Sequence, residues 1–153
     1  MPNSNAAEPD VSDSGHDLNP LDAGDRESRI AQLNDEERRV ILHQGTEAPF
    51  CGGLLDNKLH GVYRCRLCEL PLFSSEAKFN SGTGWPSFSR PFDPKHVRTV
   101  RDIGHGMIRD EIRCARCDGH LGHVFDDGPP PTGQRYCLNS VSLTFVEATE
   151  VKP

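Results

Sequence analysis

The chain has 153 residues, of which 35% are hydrophobic, and its 14 glycines and 12 prolines predict one small domain rich in strands and loops. A formal net charge of -6 without a Lys/Arg cluster disfavours binding to nucleic acid or to an anionic membrane surface. No apolar run approaches the roughly 18 residues that a membrane helix needs.

The N-terminal segment differs in composition from the rest of the chain. Residues 1–27 are rich in Asn, Ser, Pro, Asp and Gly, and we expect a disordered acidic tail there, followed by one domain over residues 28–153. The first 25 residues contain neither Lys nor Arg and no apolar segment, unlike a signal or transit peptide. We therefore expect a cytoplasmic location, in a reducing compartment.

The first expected element is a short amphipathic helix. Asn34 and Glu37 have the spacing of a capping box, and Gly45 is a plausible helix terminator. Between them, Val40 and Ile41 are apolar residues that the helix can bury.

Beyond Gly45, short apolar or alternating runs are broken by Gly and Pro, which is typical of strands. The sequence thus predicts a mainly β domain with short N-terminal helices. The expected strands lie around Tyr63, Leu72–Phe73, Met107–Ile112, Val124–Phe125 and Cys137–Val146.

Two Cys-x-x-Cys pairs predict a structural metal site. Cys65 and Cys68 form one pair and Cys114 and Cys117 the other, and two tight turns of this kind supply four thiolates in a tetrahedral set. Iron fits the same spacing, but zinc is the more common occupant of such a site. A thioredoxin-like redox pair is disfavoured because neither pair lies between a strand and a long helix. Structural disulfides and isolated buried thiols are the remaining alternatives.

Cys137 is a candidate nucleophile. Alternation along one strand would place Cys137 and Asn139 on one face, together with Val141, Leu143 and Phe145. A single cysteine on such a face usually serves packing alone. Asn139 argues for chemistry because an amide is costly to bury without a purpose, and the adjacent Arg135 can favour a thiolate.

Two further segments carry candidate binding groups. His120 and His123 offer a general acid or hydrogen-bond donors, although both can reach one pocket only if the chain bends at Gly122. Trp85, held between Gly84 and Pro86, can form the wall of a small apolar pocket. Taken singly, each histidine is more typical of a structural or surface position, and the tryptophan of a core aromatic.

Together these segments resemble the methionine-R-sulfoxide reductase B family over about residues 33–145. The resemblance depends on both Cys-x-x-Cys pairs and on four motifs. These are GTEAPF at 45–50, GWPSF at 84–88, HLGHVF at 120–125 and RYCLNS at 135–140.

The resemblance implies a fold of two antiparallel sheets, with a structural zinc away from the active site. It implies that Cys137 attacks the sulfoxide sulfur of the R epimer and becomes a sulfenic acid, which can condense with another thiol. It also implies a set of groups around the substrate. Trp85 would pack against the substrate methyl group, His123, His120 and Asn139 would bind and protonate the sulfoxide oxygen, and Phe125 and Arg135 would contact the substrate.

One position departs from the family pattern. Many members have a resolving cysteine where this chain has Thr83, and Cys51 is the remaining candidate for that task. The resemblance then implies oxidised proteins or peptides as substrates and a thioredoxin-like reductant, and we expect a monomer.

The rival hypothesis is a non-enzymatic binding module on a zinc-held β-fold, like the ligand-binding domain of cereblon. Such a module would have no reason to keep Cys137 beside Asn139. An adaptor built on a zinc ribbon is a weaker rival, given the negative charge.

Overall fold

A computed structural model describes residues 11–148 of the chain. Within this range the fold is mainly β, as the sequence predicts, with helices α1 (Ala23–Ala31) and α2 (Asp35–Ile41) preceding the strands. Neither of these helices is long and apolar enough to cross a membrane. The strands are β1 (Gly61–Cys65), β2 (Pro71–Ser74), β3 (Lys78–Phe79), β4 (Ser87–Phe88), β5 (Val97–Asp102), β6 (Arg109–Cys114), β7 (His120–Phe125), β8 (Arg135–Leu138) and β9 (Leu143–Glu147).

The strands form two antiparallel sheets, as expected. One has the order β2-β1-β9 and the other the order β3-β4-β8-β7-β6-β5. Fully buried aromatic rings join them: Phe88 of the larger sheet stacks on Phe73 at 4.6 Å and meets Tyr63 edge-on at 5.0 Å between ring centroids. Aromatic pairs at these distances add about 0.5–1.5 kcal/mol beyond their burial, so this cluster is the centre of the core.

Helix α2 confirms the predicted capping box. The Asn34 side chain accepts from the Glu37 amide, and the Glu37 side chain accepts from the Asn34 amide. The helix ends at Ile41, however, before the expected terminator Gly45. The Gly45 amide instead donates to the Arg39 carbonyl, so it closes the turn that follows the helix.

Part of the expected disordered tail is folded onto the domain. Residues 1–10 lie outside the described range, but Leu18 is buried in the core and α1 begins at Ala23. The Ser12 hydroxyl lies 2.8 Å from Nε2 of the fully buried His96. The composition of this segment predicted disorder. Composition does not reveal a contact such as that between Ser12 and His96, a buried imidazole that needs a hydrogen-bond partner.

The strand predicted over Cys137–Val146 is wrong, because the chain changes sheets within it. Strand β8 ends at Leu138, a 3₁₀ turn follows at Ser140–Ser142, and β9 then pairs with β1 in the smaller sheet. The Ser142 hydroxyl donates to the His120 carbonyl and stabilises this crossing. Residues of β9 therefore do not continue the face of Cys137.

A β-bulge in β7 controls the direction of its histidines. Ile112 pairs with Gly122 and Arg113 with His120, so Leu121 is an extra residue with no partner on β6. The bulge brings the rings of His120 and His123 to 5.5 Å between centroids. The strand is therefore irregular between the two histidines, as expected, but the irregularity is a bulge at Leu121 and not a bend at Gly122.

Gly122 is required by the close approach of β8. A Cβ at this position would collide with the Cys137 carbonyl oxygen, which is a backbone atom and cannot move independently of its strand. We expect Gly122→Ala to lower the free energy of unfolding by about 1–3 kcal/mol, the usual cost of overpacking, as measured by urea unfolding.

The matched control is Gly53→Ala, because a Cβ on Gly53 would meet open space. Equal stability of the two variants would contradict this account of the β7–β8 contact.

Candidate active site and metal centre

The two Cys-x-x-Cys turns are built alike, one between β1 and β2 and the other between β6 and β7. Cys65 is the last residue of β1 and Cys114 the last of β6, so each sheet contributes one pair. In each turn the amide of the residue that follows the second cysteine bonds back to the first, Glu69 to Cys65 at 2.8 Å and Asp118 to Cys114 at 2.9 Å. Both of these residues have left-handed backbone, with φ of 70° and 64°, which aims the two sulfurs the same way.

The four sulfurs form one buried cluster that can hold a metal ion. All lie within 4.8 Å of one another, and the Cys65–Cys117 and Cys68–Cys114 pairs lie at 3.5 Å. Four thiolates at about 2.3 Å from a zinc ion would lie roughly 3.8 Å apart, so the spacing fits a tetrahedral set. The neighbouring sulfurs of Cys114 and Cys117, together with burial, raise the pKa of the Cys65 thiol. Thiolates at this spacing repel one another, so a cation between them is needed to keep all four cysteines deprotonated.

A small pocket contains Cys137. Its volume is about 220 Å³, which suits a single side chain. Cys137 lies on β8 directly opposite His123 on β7 and opposite Ser87 on β4. The described wall of the pocket comprises Thr46, Thr83, Trp85, Arg109, Gly122, His123, Phe125, Arg135, Cys137, Leu138 and Asn139.

The electrostatics of Cys137 differ from the sequence-based expectation. Burial raises the pKa of the Cys137 thiol, and this effect exceeds the opposing effects of Arg135 and of a hydrogen bond with Thr83. The nearby carboxylate of Glu47 acts in the same direction as burial. Arg135 does favour the thiolate, as predicted, but the group rests as a thiol.

His123 is held by a carboxylate that the sequence analysis missed. Its Nε2 lies 2.9 Å from the Asp102 carboxylate at the end of β5. Asp102 also accepts from the Gly104 amide at 2.9 Å and from Arg109 at 3.5 Å. The hydrogen bonds from His123 and Gly104 lower the pKa of Asp102 to about 2, so this partner is ionised at neutral pH.

His120 lies behind the described wall of the pocket. It is buried, with Nδ1 at 2.7 Å from the Glu111 carboxylate, and its Nε2 has no hydrogen-bond partner among the described residues. Burial lowers the pKa of the His120 imidazole. Despite burial, hydrogen bonds from Arg113 and His120 lower the pKa of the Glu111 carboxyl. A neutral His120 thus donates Nδ1–H to an ionised Glu111, which Gln44 also contacts at 3.0 Å.

Asn139 faces the pocket but also connects neighbouring segments. Its Oδ1 accepts from the Glu47 amide at 3.0 Å, and its Nδ2 donates to the Leu121 carbonyl at 3.1 Å. One Nδ2–H therefore remains for a ligand. Asn139 links the bulge of β7 to the loop that carries Glu47.

The aromatic and cationic groups of the wall are also fixed. Trp85 Nε1 donates to the Glu47 carbonyl at 3.0 Å, which fixes the plane of the indole. The Arg135 guanidinium lies over the Phe125 ring at 4.5 Å and pairs with Asp127 at 2.8 Å. Sequence patterns suggested Trp85, Phe125 and Arg135, and the structure brings all three to the pocket that contains Cys137.

The SelR domain family matches residues 33–147 of the chain. The peptide methionine sulfoxide reductase MsrB of Xylella fastidiosa is 62% identical over 137 residues, which cover 90% of this chain and 88% of the relative. The protein of the same name from Caulobacter vibrioides is 63% identical over 138 residues, covering 90% of this chain and 87% of the relative. The chain belongs to the methionine-R-sulfoxide reductase B family.

Thr83 and Cys51 are placed differently relative to the pocket. Thr83 lines it and lies beside the sulfur of Cys137. Cys51 is exposed and outside the described wall of the pocket. It lies on the loop of Glu47, and its amide donates to the Ala48 carbonyl at 3.3 Å. Cys137 and Cys51, the two candidate redox cysteines of this reductase, therefore lie on separate segments. The structure does not bring them together in one pocket.

The functional groups that sequence patterns missed are the acidic partners of the histidines. Asp102 and Glu111 are distant in sequence from His123 and His120, and only strand pairing brings them close. A charged residue inside the predicted strand Met107–Ile112 was an available signal for Glu111.

The raised pKa of Cys137 predicts slow alkylation near neutral pH. Because the thiolate is the reactive form, the midpoint of alkylation rate against pH should lie above the value of about 8.5 for an ordinary cysteine. Iodoacetamide labelling followed by peptide mapping separates Cys137 from the exposed Cys51. Arg135→Gln should move the midpoint higher because it removes a charge that lowers this pKa.

Arg101→Gln is the matched control, because Arg101 is exposed on β5 and pairs with Asp110. A midpoint below 8.5 for Cys137 in the wild-type reductase would contradict the assignment of a resting thiol.

Proposed function

We propose that this protein reduces methionine-R-sulfoxide, in peptides and as the free amino acid, to methionine. The main support for this proposal is the position of Cys137. It lies directly opposite His123, in a pocket that has room for a single side chain and is lined by Trp85. A nucleophilic thiol and a proton donor on neighbouring strands are the two groups that sulfoxide reduction needs.

In the first step, Cys137 Sγ attacks the sulfoxide sulfur. The sulfur–oxygen bond breaks, the oxygen leaves the substrate as the hydroxyl of a Cys137 sulfenic acid, and the electron pair stays on the methionine sulfur. The thiol proton balances the reaction, since it is transferred to the sulfoxide oxygen. Cys137 is oxidised by two electrons and the sulfoxide is reduced by two.

The imidazoles act on the oxygen in this proposal. Asp102 accepts from Nε2–H of His123, so Nδ1 is the nitrogen that takes up the Cys137 thiol proton and passes it to the sulfoxide oxygen. His120 supports the His123 ring from behind, and the free Nδ2–H of Asn139 adds a donor. Trp85 and Phe125 bound the space for the methyl group, and Arg135 contributes charge beside the sulfur.

In the second step, the thiol of Cys51 attacks the sulfenic sulfur of Cys137 and releases water, which leaves a disulfide. A thioredoxin-like dithiol then reduces that disulfide and is itself oxidised. Cys51 is exposed and outside the pocket wall, and we propose that its loop brings the two Cα atoms within the roughly 4.4–6.8 Å of a disulfide. We propose a monomer in the cytoplasm, where Cys51 and Cys137 remain free thiols in the absence of substrate.

Zinc is the metal that we propose for the four-cysteine cluster. Cys65, Cys68, Cys114 and Cys117 would hold it with no open position, so its chemistry is structural. The cluster lies at the ends of β1 and β6, and none of its cysteines lines the described wall of the Cys137 pocket.

A binding module without catalysis is the second candidate. The four cysteines and Trp85 suit it equally well. It does not account for the carboxylates of Asp102 and Glu111 paired with His123 and His120 beside the half-buried thiol of Cys137, so we favour the enzyme.

The proposed nucleophile is tested by Cys137→Ser. We expect the variant to release no methionine from one equivalent of methionine-R-sulfoxide with excess dithiothreitol, because a serine hydroxyl is too weak a nucleophile towards sulfur. Metal content and circular dichroism should match the wild type. Substantial single-turnover reduction by this variant, or wild-type activity on the S epimer alone, would show that the proposal is wrong.

The resolving role is tested by Cys51→Ser. The variant should release methionine normally in one turnover but retain Cys137 as sulfenic acid, detected by dimedone labelling. Turnover with thioredoxin should then collapse while turnover with dithiothreitol survives.

The control adds Thr83→Cys to the Cys51→Ser variant, and this should restore thioredoxin-dependent turnover because position 83 lies beside the Cys137 sulfur. Unchanged thioredoxin-dependent turnover in Cys51→Ser alone would exclude Cys51 as the resolving residue.

The zinc proposal predicts one tightly bound zinc per chain by elemental analysis. Cys65→Ser should lose the metal and unfold, because metal binding contributes to the free energy of folding. Cys51→Ser, which changes a cysteine outside the cluster, should keep it. Well-folded protein free of zinc and iron would rule out the metal centre.

A further inference from the structure

A second and larger cleft adjoins the Cys137 pocket. Its volume is about 690 Å³, compared with about 220 Å³ for the pocket, so it has room for several residues of a ligand. Trp85 lines both spaces. Thr83 lines only the pocket, whereas Gly82 and Gly84 on either side of it line only the cleft. The segment 82–85 is therefore a thin partition between the two.

We propose that this cleft binds the polypeptide chain next to the oxidised methionine in a protein substrate. The inference rests on the proposed function and adds a binding site for the residues that flank the sulfoxide. A substrate chain in the cleft would pass over the partition and place its methionine sulfoxide beside Cys137.

The floor of the cleft offers main-chain hydrogen bonds. Strand β3 lies at the edge of the six-stranded sheet, and among the described strands its one neighbour is β4. Five consecutive residues, from Lys78 to Gly82, line the cleft and lead along the chain towards Trp85. An extended peptide can add to such an edge through backbone hydrogen bonds that do not depend on its sequence.

The rim of the cleft presents two exposed apolar side chains. Phe50 is 69% exposed and Leu59 is 51% exposed, and both line the cleft. Phe50 has φ of 67°, an unusual conformation for an aromatic residue, and its amide donates to the Gly84 carbonyl at 2.7 Å. Strained backbone that holds a phenylalanine towards solvent is typical of a binding surface.

The opposite wall of the cleft is also fixed in place. The Lys78 ammonium donates to the Leu55 carbonyl at 2.7 Å and to the Asn57 carbonyl at 2.9 Å, which ties the loop that carries Leu59 to the edge strand. The cleft is thus preformed, and binding does not require this loop to become ordered. A concave, preformed groove suits an extended chain better than a folded reductant, which needs a broad face of about 800 Å².

The test compares three substrates in the wild type and in Leu59→Ser, with dithiothreitol as the reductant. One substrate is acetyl-methionine-R-sulfoxide amide, and the others carry two leucines before or after the oxidised residue. We expect the wild type to have a higher kcat/KM for at least one of the leucine peptides than for the blocked residue. Leu59→Ser should lower kcat/KM for that peptide roughly threefold to tenfold, with a much smaller effect on the blocked residue.

The matched control is Ile103→Ser, because Ile103 is 72% exposed but lies outside the cleft. A second measurement follows hydrogen exchange in Cys137→Ser with the leucine peptide added, where residues 78–81 should be protected. The proposal is overturned by equal losses for all substrates, by a loss in Ile103→Ser instead, or by unprotected residues 78–81. If the wild type reduces no sulfoxide, the proposed function fails, while hydrogen exchange still decides whether the cleft binds the peptide.

Discussion

The four-cysteine cluster is the constraint on which the rest of the structure depends. One pair ends β1 in the smaller sheet and the other ends β6 in the larger sheet, so the cluster joins two sheets that otherwise meet through an aromatic core. Its second turn also determines where β7 begins. His120 follows Cys117 by three residues, so the position of the histidines depends on the geometry of the sulfurs although these lie outside the pocket wall.

The thiol and the carboxylates around the candidate site differ in charge. Partial burial raises the pKa of the Cys137 thiol and favours its neutral form, whereas hydrogen bonds lower the pKa of the Asp102 and Glu111 carboxyls and keep them ionised. Each carboxylate holds one imidazole in a defined orientation. A neutral thiol suits a reaction in which a proton must accompany the nucleophile, because the proton is already present when the substrate arrives.

Short sequence patterns correctly predicted the structural features that depend only on residues close together in the chain. Both Cys-x-x-Cys turns and the capping box at Asn34 follow from the spacing of a few residues, and the structure contains them. The strand expected over Cys137–Val146 failed because alternation shows which residues share a face but not when a chain leaves its sheet. Asp102 and Glu111 were missed because their partners are close only after strands pair. The order of residues 11–27 was missed for the same reason, since Ser12 contacts the distant His96 and Leu18 packs in the core only once the chain is folded.

The bulge at Leu121 has a consequence for how this segment can evolve. A strand places residues at odd spacings on opposite faces, so two histidines three positions apart can share a face only while one extra residue interrupts the ladder. Deleting Leu121 would leave the histidines two positions apart in a regular strand, where they would still share a face. Inserting one residue beside the bulge would instead turn one imidazole towards the other side of the sheet. Gly122 cannot absorb such a change, since β8 packs directly on it. This segment can therefore become shorter by its extra residue without separating the imidazoles, but it cannot become longer by one.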